Sequence, residues 1–153
     1  MSLKHLLRGD AEAAQLRREE THEPERFQGR DDTHATVLDI NQGASGCQEG
    51  NAIEVRNAPF DGSHPATVFV EIAHNRLGSW QKTGIVANGD VDVSVHHNDV
   101  GASATQASLA ANGVQLGFGA RGSVLQNQIE GNQWLGTSFF AASAVLVFAA
   151  DAV

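Results

Sequence analysis

The chain has no tyrosine, one cysteine, one methionine and three prolines in 153 residues. A lone Cys47 cannot close an internal disulfide, so the fold must rest on burial and hydrogen bonding. Cys47 stands in Gly43-Ala44-Ser45-Gly46-Cys47-Gln48-Glu49-Gly50, with no neighbouring histidine, which fits a structural thiol better than a nucleophile. Long apolar runs are missing too. The most apolar stretch, Phe139 to Ala150, contains Ser143 and falls well short of the ~20 residues a membrane helix needs. Near the start, Leu3, Leu6 and Leu7 are interrupted by Lys4, His5, Arg8 and Asp10, so no signal peptide is visible and localisation stays open.

Basic residues are scarce. Lys and Arg number 10 against 18 Asp and Glu, for a net charge of −8. Residues 1–34 hold 6 of the basic and 8 of the acidic groups, leaving 4 and 10 for the rest. A body so poor in cations has no stripe to follow a nucleic-acid backbone or an anionic membrane. Residues 1–34 therefore read as a separate charged segment. Leu3, Leu6, Leu7, Ala11, Ala14 and Leu16 could line a capping helix, whereas Arg17 to Thr33, with Pro24 and Gly29, reads as solvated linker or disorder.

What the remaining residues 35–153 do have is repetition. Val70-Glu71-Ile72-Ala73-His74-Asn75-Arg76-Leu77, Val93-Ser94-Val95-His96-His97-Asn98-Asp99-Val100 and Ser123-Val124-Leu125-Gln126-Asn127-Gln128-Ile129 are one phrase written three times. A second phrase, small-aliphatic-x-apolar, recurs at Ile53, Ile85, Val114 and Val145. Alternating burial makes each phrase a short strand, with Val70, Ile72, Leu77, Val93, Val95, Val100, Val124 and Ile129 facing inward. Gly122 replaces an inward valine and predicts a weaker strand there. Asn75, Asn98 and Asn127 fall at the bends, where stacked amides can form a ladder. In the first copy the extra residues are placed in the turn-rich stretch from Ala58 to Pro65.

The pattern V-x-I/V-x-x-N-x-I/V, with G-I/V-x-V between copies, resembles the right-handed parallel β-helix repeat of the pectate-lyase-like superfamily. The likeness runs from about Thr36 to Val153, and Gln81 to Asp90 resembles bacterial members known only as β-helix repeat proteins. It implies an all-β solenoid of about four coils. That is few for this architecture, and the apolar strand from Ala144 to Val153 stops without a polar cap. Both features fit a slice of a longer protein, or a last coil that pairs with another chain.

The resemblance also frames the chemistry. A lyase of that superfamily holds Ca²⁺ on acidic residues and removes a proton with Arg or Lys; a hydrolase uses two acids about the glycosidic bond. Six positions before the Asn stand Phe69, Asp92 and Arg121, so Asp92 and Arg121 should be outward neighbours. They are the only nameable catalytic candidates, and an exposed ion pair accounts for them as well. His74 and His97 precede Asn75 and Asn98 on adjacent strands beside His96. The third copy has Gln126 there and nothing completes a ligand set at recognisable spacing, so the reading is outward turn residues with no metal and no cofactor, Ca²⁺ entering only with a lyase. Trp80 and Trp134, with Gln81, Lys82 and Gln133, could offer two sugar subsites ~10 Å apart. The expectation is thus a non-catalytic carbohydrate-associated or structural scaffold. Its alternatives are a polysaccharide lyase or glycoside hydrolase, or a module that assembles through its final strand.

Overall fold

The structure is a computed structural model that describes residues 35–41, 48–57, 66–101, 109–137 and 141–151. Segment 1–34 with its expected cap, the turn at 58–65 and Cys47 lie outside the described residues.

Among the described residues eleven strands follow one another: β1 (Ala35–Ile40), β2 (Ile53–Asn57), β3 (Val68–Ala73), β4 (Asn75–Trp80), β5 (Thr83–Gly89), β6 (Val91–His96), β7 (Asp99–Val100), β8 (Asn112–Gly117), β9 (Arg121–Leu125), β10 (Gln128–Ile129) and β11 (Ser143–Phe148). The described residues are all-β, without helix. Three sheets result, ordered β1-β4-β7-β10, β2-β5-β8-β11 and β3-β6-β9, and every pairing is parallel. Each strand therefore pairs with the one three further along the chain. A chain that visits three sheets in rotation and advances one strand at each return is compatible with a β-solenoid.

The register follows the sequence phrases. Ile53, Ile85, Val114 and Val145 are successive partners across the second sheet. In the third, Val70 faces Val93 and Ile72 faces Val95, which in turn faces Val124. Ile72, Leu77, Val93, Val95 and Val100 are buried between the sheets with Ile85, Val91, Val114 and Leu116, while Val70, Val124 and Ile129 pack at the margin. Period-two alternation explains this wherever one face is inward, as in β6, where buried and half-buried residues alternate. In β9, where Gly122 stands opposite Val93, no residue is fully buried.

Chain direction changes at left-handed residues. His74, His97 and Gln126 (φ 59°, 54° and 54°) stand immediately before the Asn of each copy. Asp39 and Ser79 (φ 61° and 57°) serve the exits of β1 and β4. At the exits of β5, β8 and β11, Gly89, Phe118 and Ala149 have φ 88°, 55° and 50°. A left-handed residue reverses the local turn without lengthening the loop, which lets three flat strands enclose one core.

The corner before each Asn is tied by side chains. Asn98 Oδ1 accepts from the Asn75 backbone N–H at 3.0 Å and from Asn75 Nδ2 at 2.9 Å. Asn127 Oδ1 does the same for Asn98 at 2.9 and 2.8 Å. Asn98 Nδ2 also donates to the carbonyls of Ile72 and His96, and Asn127 Nδ2 to those of Val95 and Leu125. Each amide thus joins its own turn to the next strand level.

Candidate functional site

The predicted outward pair meets in register: Asp92 of β6 is the direct partner of Arg121 of β9. The guanidinium does more than pair across the sheet. Arg121 lies 3.6 Å from Asp92 Oδ2 through Nε, and 3.3 Å from Asp90 Oδ1 and 3.9 Å from Asp151 Oδ2 through one terminal nitrogen. Its other terminal nitrogen donates to Thr67 Oγ1 at 2.9 Å, and that hydroxyl donates to Asp90 Oδ1 at 2.8 Å. Asp90 is fixed by its backbone as well, its N–H donating to Asn57 O at 3.2 Å while its carbonyl accepts from Val68 N–H and Asn57 Nδ2.

These groups border an open cleft of about 300 Å³ lined by Asn57, Gly89, Asp90, Phe118, Gly119, Arg121 and Asp151. It sits where the chain leaves the second sheet for the third, at the column Gly89, Phe118, Ala149. The neighbours in that column are small; Phe118 is not. A bulky side chain in the left-handed region costs on the order of 1–3 kcal/mol, and here the residue remains 44% exposed, its ring T-shaped to that of Phe148 at 5.4 Å between centroids. Sequence reasoning passed over Phe118 because its alignment with Gly89 shows only once the corners are matched.

Ca²⁺ does not suit this donor set. Asp90, Asp92 and Asp151 gather around a guanidinium, so the place a cation would take between them already holds a positive charge. Arg121 likewise has its guanidinium nitrogens engaged by three carboxylates and a hydroxyl, an ion-pair arrangement that leaves it turned to its own neighbours.

Two of the expected sugar contacts need correction. Trp80 is not a loop residue: it ends β4 opposite Ile40, is 0% exposed, and donates from Nε1 to Asn112 O at 2.8 Å. Gln81 is buried behind it, with Nε2 reaching Glu49 O. The left-handed turn at Ser79 breaks period-two alternation, so that Leu77 and Trp80, three apart, both face inward. Neither Trp80 nor Gln81 offers a face to a glycan. Lys82 is partly buried with Nζ donating to Ala110 O at 3.1 Å, and burial holds its pKa below the usual lysine value. Gln133 is exposed, and half-buried Trp134 lies with its ring over the backbone of Gly136. The structure does not bring Trp134 into the cleft.

No family model, characterised protein or solved structure matches this chain.

Proposed function

We propose that the chain is a right-handed parallel β-helix scaffold of about four coils that binds polysaccharide without cleaving it, the sugar seating in the corner cleft. The single observation behind this reading is Phe118. Its left-handed backbone keeps an aromatic face at the rim of a cleft whose other walls carry Asn57, Asp90, Arg121 and Asp151. Aromatic faces cover the apolar side of a sugar ring, and fixed amides, carboxylates and guanidinium groups exchange hydrogen bonds with its hydroxyls. Catalysis is disfavoured because Arg121 and the acids that would perform it already neutralise one another.

The reading is tested by retention on a panel of acidic and neutral polysaccharides together with assay for unsaturated and reducing ends. Wild type should be retained and release nothing, and Phe118→Gly should lose retention while keeping its thermal midpoint, since glycine relieves the left-handed strain. Sugar release abolished by Asp92→Ala or Arg121→Ala would make the protein an enzyme instead.

A second reading, self-association, is favoured by β11. Val145 and Val147 continue the inward columns of Val114 and Leu116, yet they are 42% and 50% exposed. A further parallel strand from a second copy would cover them. Concentration-dependent growth in mass that disappears in Val145→Lys/Val147→Lys would support it.

A further inference from the structure

The corner on the other side of β6 holds three imidazoles. His74 and His97, the left-handed residues of adjacent strand levels, stack at 5.1 Å between centroids and 16° between planes. His96, from the end of β6, stands edge-on to both, at 6.0 Å from His74 and 5.1 Å from His97. One ligand atom from each can be chosen so that all lie within 4.8 Å of one another. Two are closer still, His96 Nδ1 and His97 Nδ1 being 2.9 Å apart.

From this geometry we infer that His74, His96 and His97 form a surface site for a divalent transition metal of the imidazole-preferring kind, such as Zn²⁺, Ni²⁺ or Cu²⁺. Three observations point the same way. First, nitrogens bonded at about 2.0–2.1 Å to a tetrahedral ion stand about 3.3 Å apart, so the His96–His97 pair is already near the required separation. The widest separation needs to close by about 1.5 Å, within reach of side-chain rotation at the exposed His74. Second, Glu71 Oε1 lies 2.8 Å from His96 Nε2. A carboxylate accepting Nε2–H leaves the Nδ1 lone pair of His96 pointing toward His97, the arrangement that fixes and strengthens a metal-bound histidine. Without metal, His97 Nδ1–H donates to that lone pair; with metal, His97 presents the other tautomer and both Nδ1 atoms bind. Third, the backbone beneath is rigid, because Asn75 and Asn98 of the amide ladder directly follow His74 and His97.

Turn geometry alone does not account for the histidines. Gln126 takes the same left-handed position in the third copy with φ 54°, so the corner does not require an imidazole. His96 is not at a left-handed position at all. Three protein ligands also leave a coordination place for water or a ligand group.

The test uses the full chain without an affinity tag, titrated calorimetrically with ZnCl₂ and NiCl₂, with CoCl₂ as an optical probe. His74→Gln and His97→Gln should fold, since Gln126 shows that the turn accepts glutamine, and each should weaken binding at least 10-fold. His96→Gln should weaken it most, and Glu71→Gln by roughly 10-fold through the lost outer partner. Co²⁺ should give the intense visible bands of low coordination in wild type and in Glu71→Gln, and lose them in the histidine variants. Tight binding left unchanged in all three histidine variants would place the metal on the other histidines of the chain and overturn the assignment. Wild-type affinity no tighter than millimolar would overturn it as well.

Discussion

Asn98→Ala should be far more damaging than Asn75→Ala, although both delete one amide of the same ladder. The Asn98 side chain accepts from Asn75 N–H and Nδ2 and donates to Ile72 O, His96 O and Asn127 Oδ1. Asn98 and Ile72 are both buried. Truncation therefore strands the Asn75 N–H and deletes the further bonds to the Ile72 and His96 carbonyls and to Asn127 Oδ1. At about 1–3 kcal/mol for the stranded donor and about 0.5–1 kcal/mol for each further bond lost, the loss should be about 4 kcal/mol. The Asn75 side chain only donates, to Ala73 O and Asn98 Oδ1, and its backbone N–H keeps its bond to Asn98 after truncation. Its loss should stay near the net worth of ordinary hydrogen bonds, about 1 kcal/mol. In urea, with a slope of about 2 kcal/mol per molar, Asn98→Ala should lower the midpoint by about 2 M and Asn75→Ala by about 0.5 M. Asn98→Asp keeps the acceptor but sets a carboxylate against the Ile72 and His96 carbonyls, so it should be no milder than alanine. Midpoints for Asn98→Ala and Asn75→Ala within 0.3 M of each other, at equal slopes, would show that the ladder does not work as an accumulated set of buried bonds.

Gly89→Ala should cost on the order of 3 kcal/mol, because at φ 88° a new Cβ would collide with the Asn57 carbonyl. Gly119→Ala, at φ 91° but with nothing nearer than Gly89 O at 3.9 Å, should cost about 1–2 kcal/mol from backbone strain alone, and calorimetric midpoints would compare the two. Trp80→Phe should lose about 1 kcal/mol by deleting the buried hydrogen bond from the indole to the Asn112 carbonyl, measured by chemical denaturation. Lys82 has its folded pKa lowered below the unfolded value of 10.5 by burial, so the unfolded chain binds more protons between those two values. Stability should therefore rise with pH across that window, and the rise should vanish in Lys82→Met when denaturation is followed from pH 8 to 10.5.

The strands were legible because burial alternates and the copies could be laid in register: Ile53, Ile85, Val114 and Val145 are true neighbours, and so are Asp92 and Arg121. The corners were not. Whether a side chain turns inward after a left-handed residue depends on φ at that residue, and Ser79 carries no compositional mark of the turn that buries Trp80. Phe118 is harder still, since a phenylalanine is among the residues least expected in that conformation. The cleft is a corner object, lined by Asp90, Phe118, Gly119 and Asp151 together with the strand ends at Asn57, Gly89 and Arg121. The Asp92–Arg121 pair beside it lies on the regular sheet, where pattern arguments apply.

Pairing every strand with the one three further along has a mechanical consequence. The hydrogen bonds between strands run in the direction in which the strands are stacked, so a pull in that direction would load one strand level at a time. Partners in the second sheet are 29 to 32 residues apart, as Ile85 is from Val114 and Ile53 from Ile85. Each yielding level would therefore release about 100 Å of slack at ~3.3–3.6 Å per residue. Stretched between two beads, the protein would give way as a series of small, nearly equal steps at modest force, a spring that pays out rather than a bolt that shears.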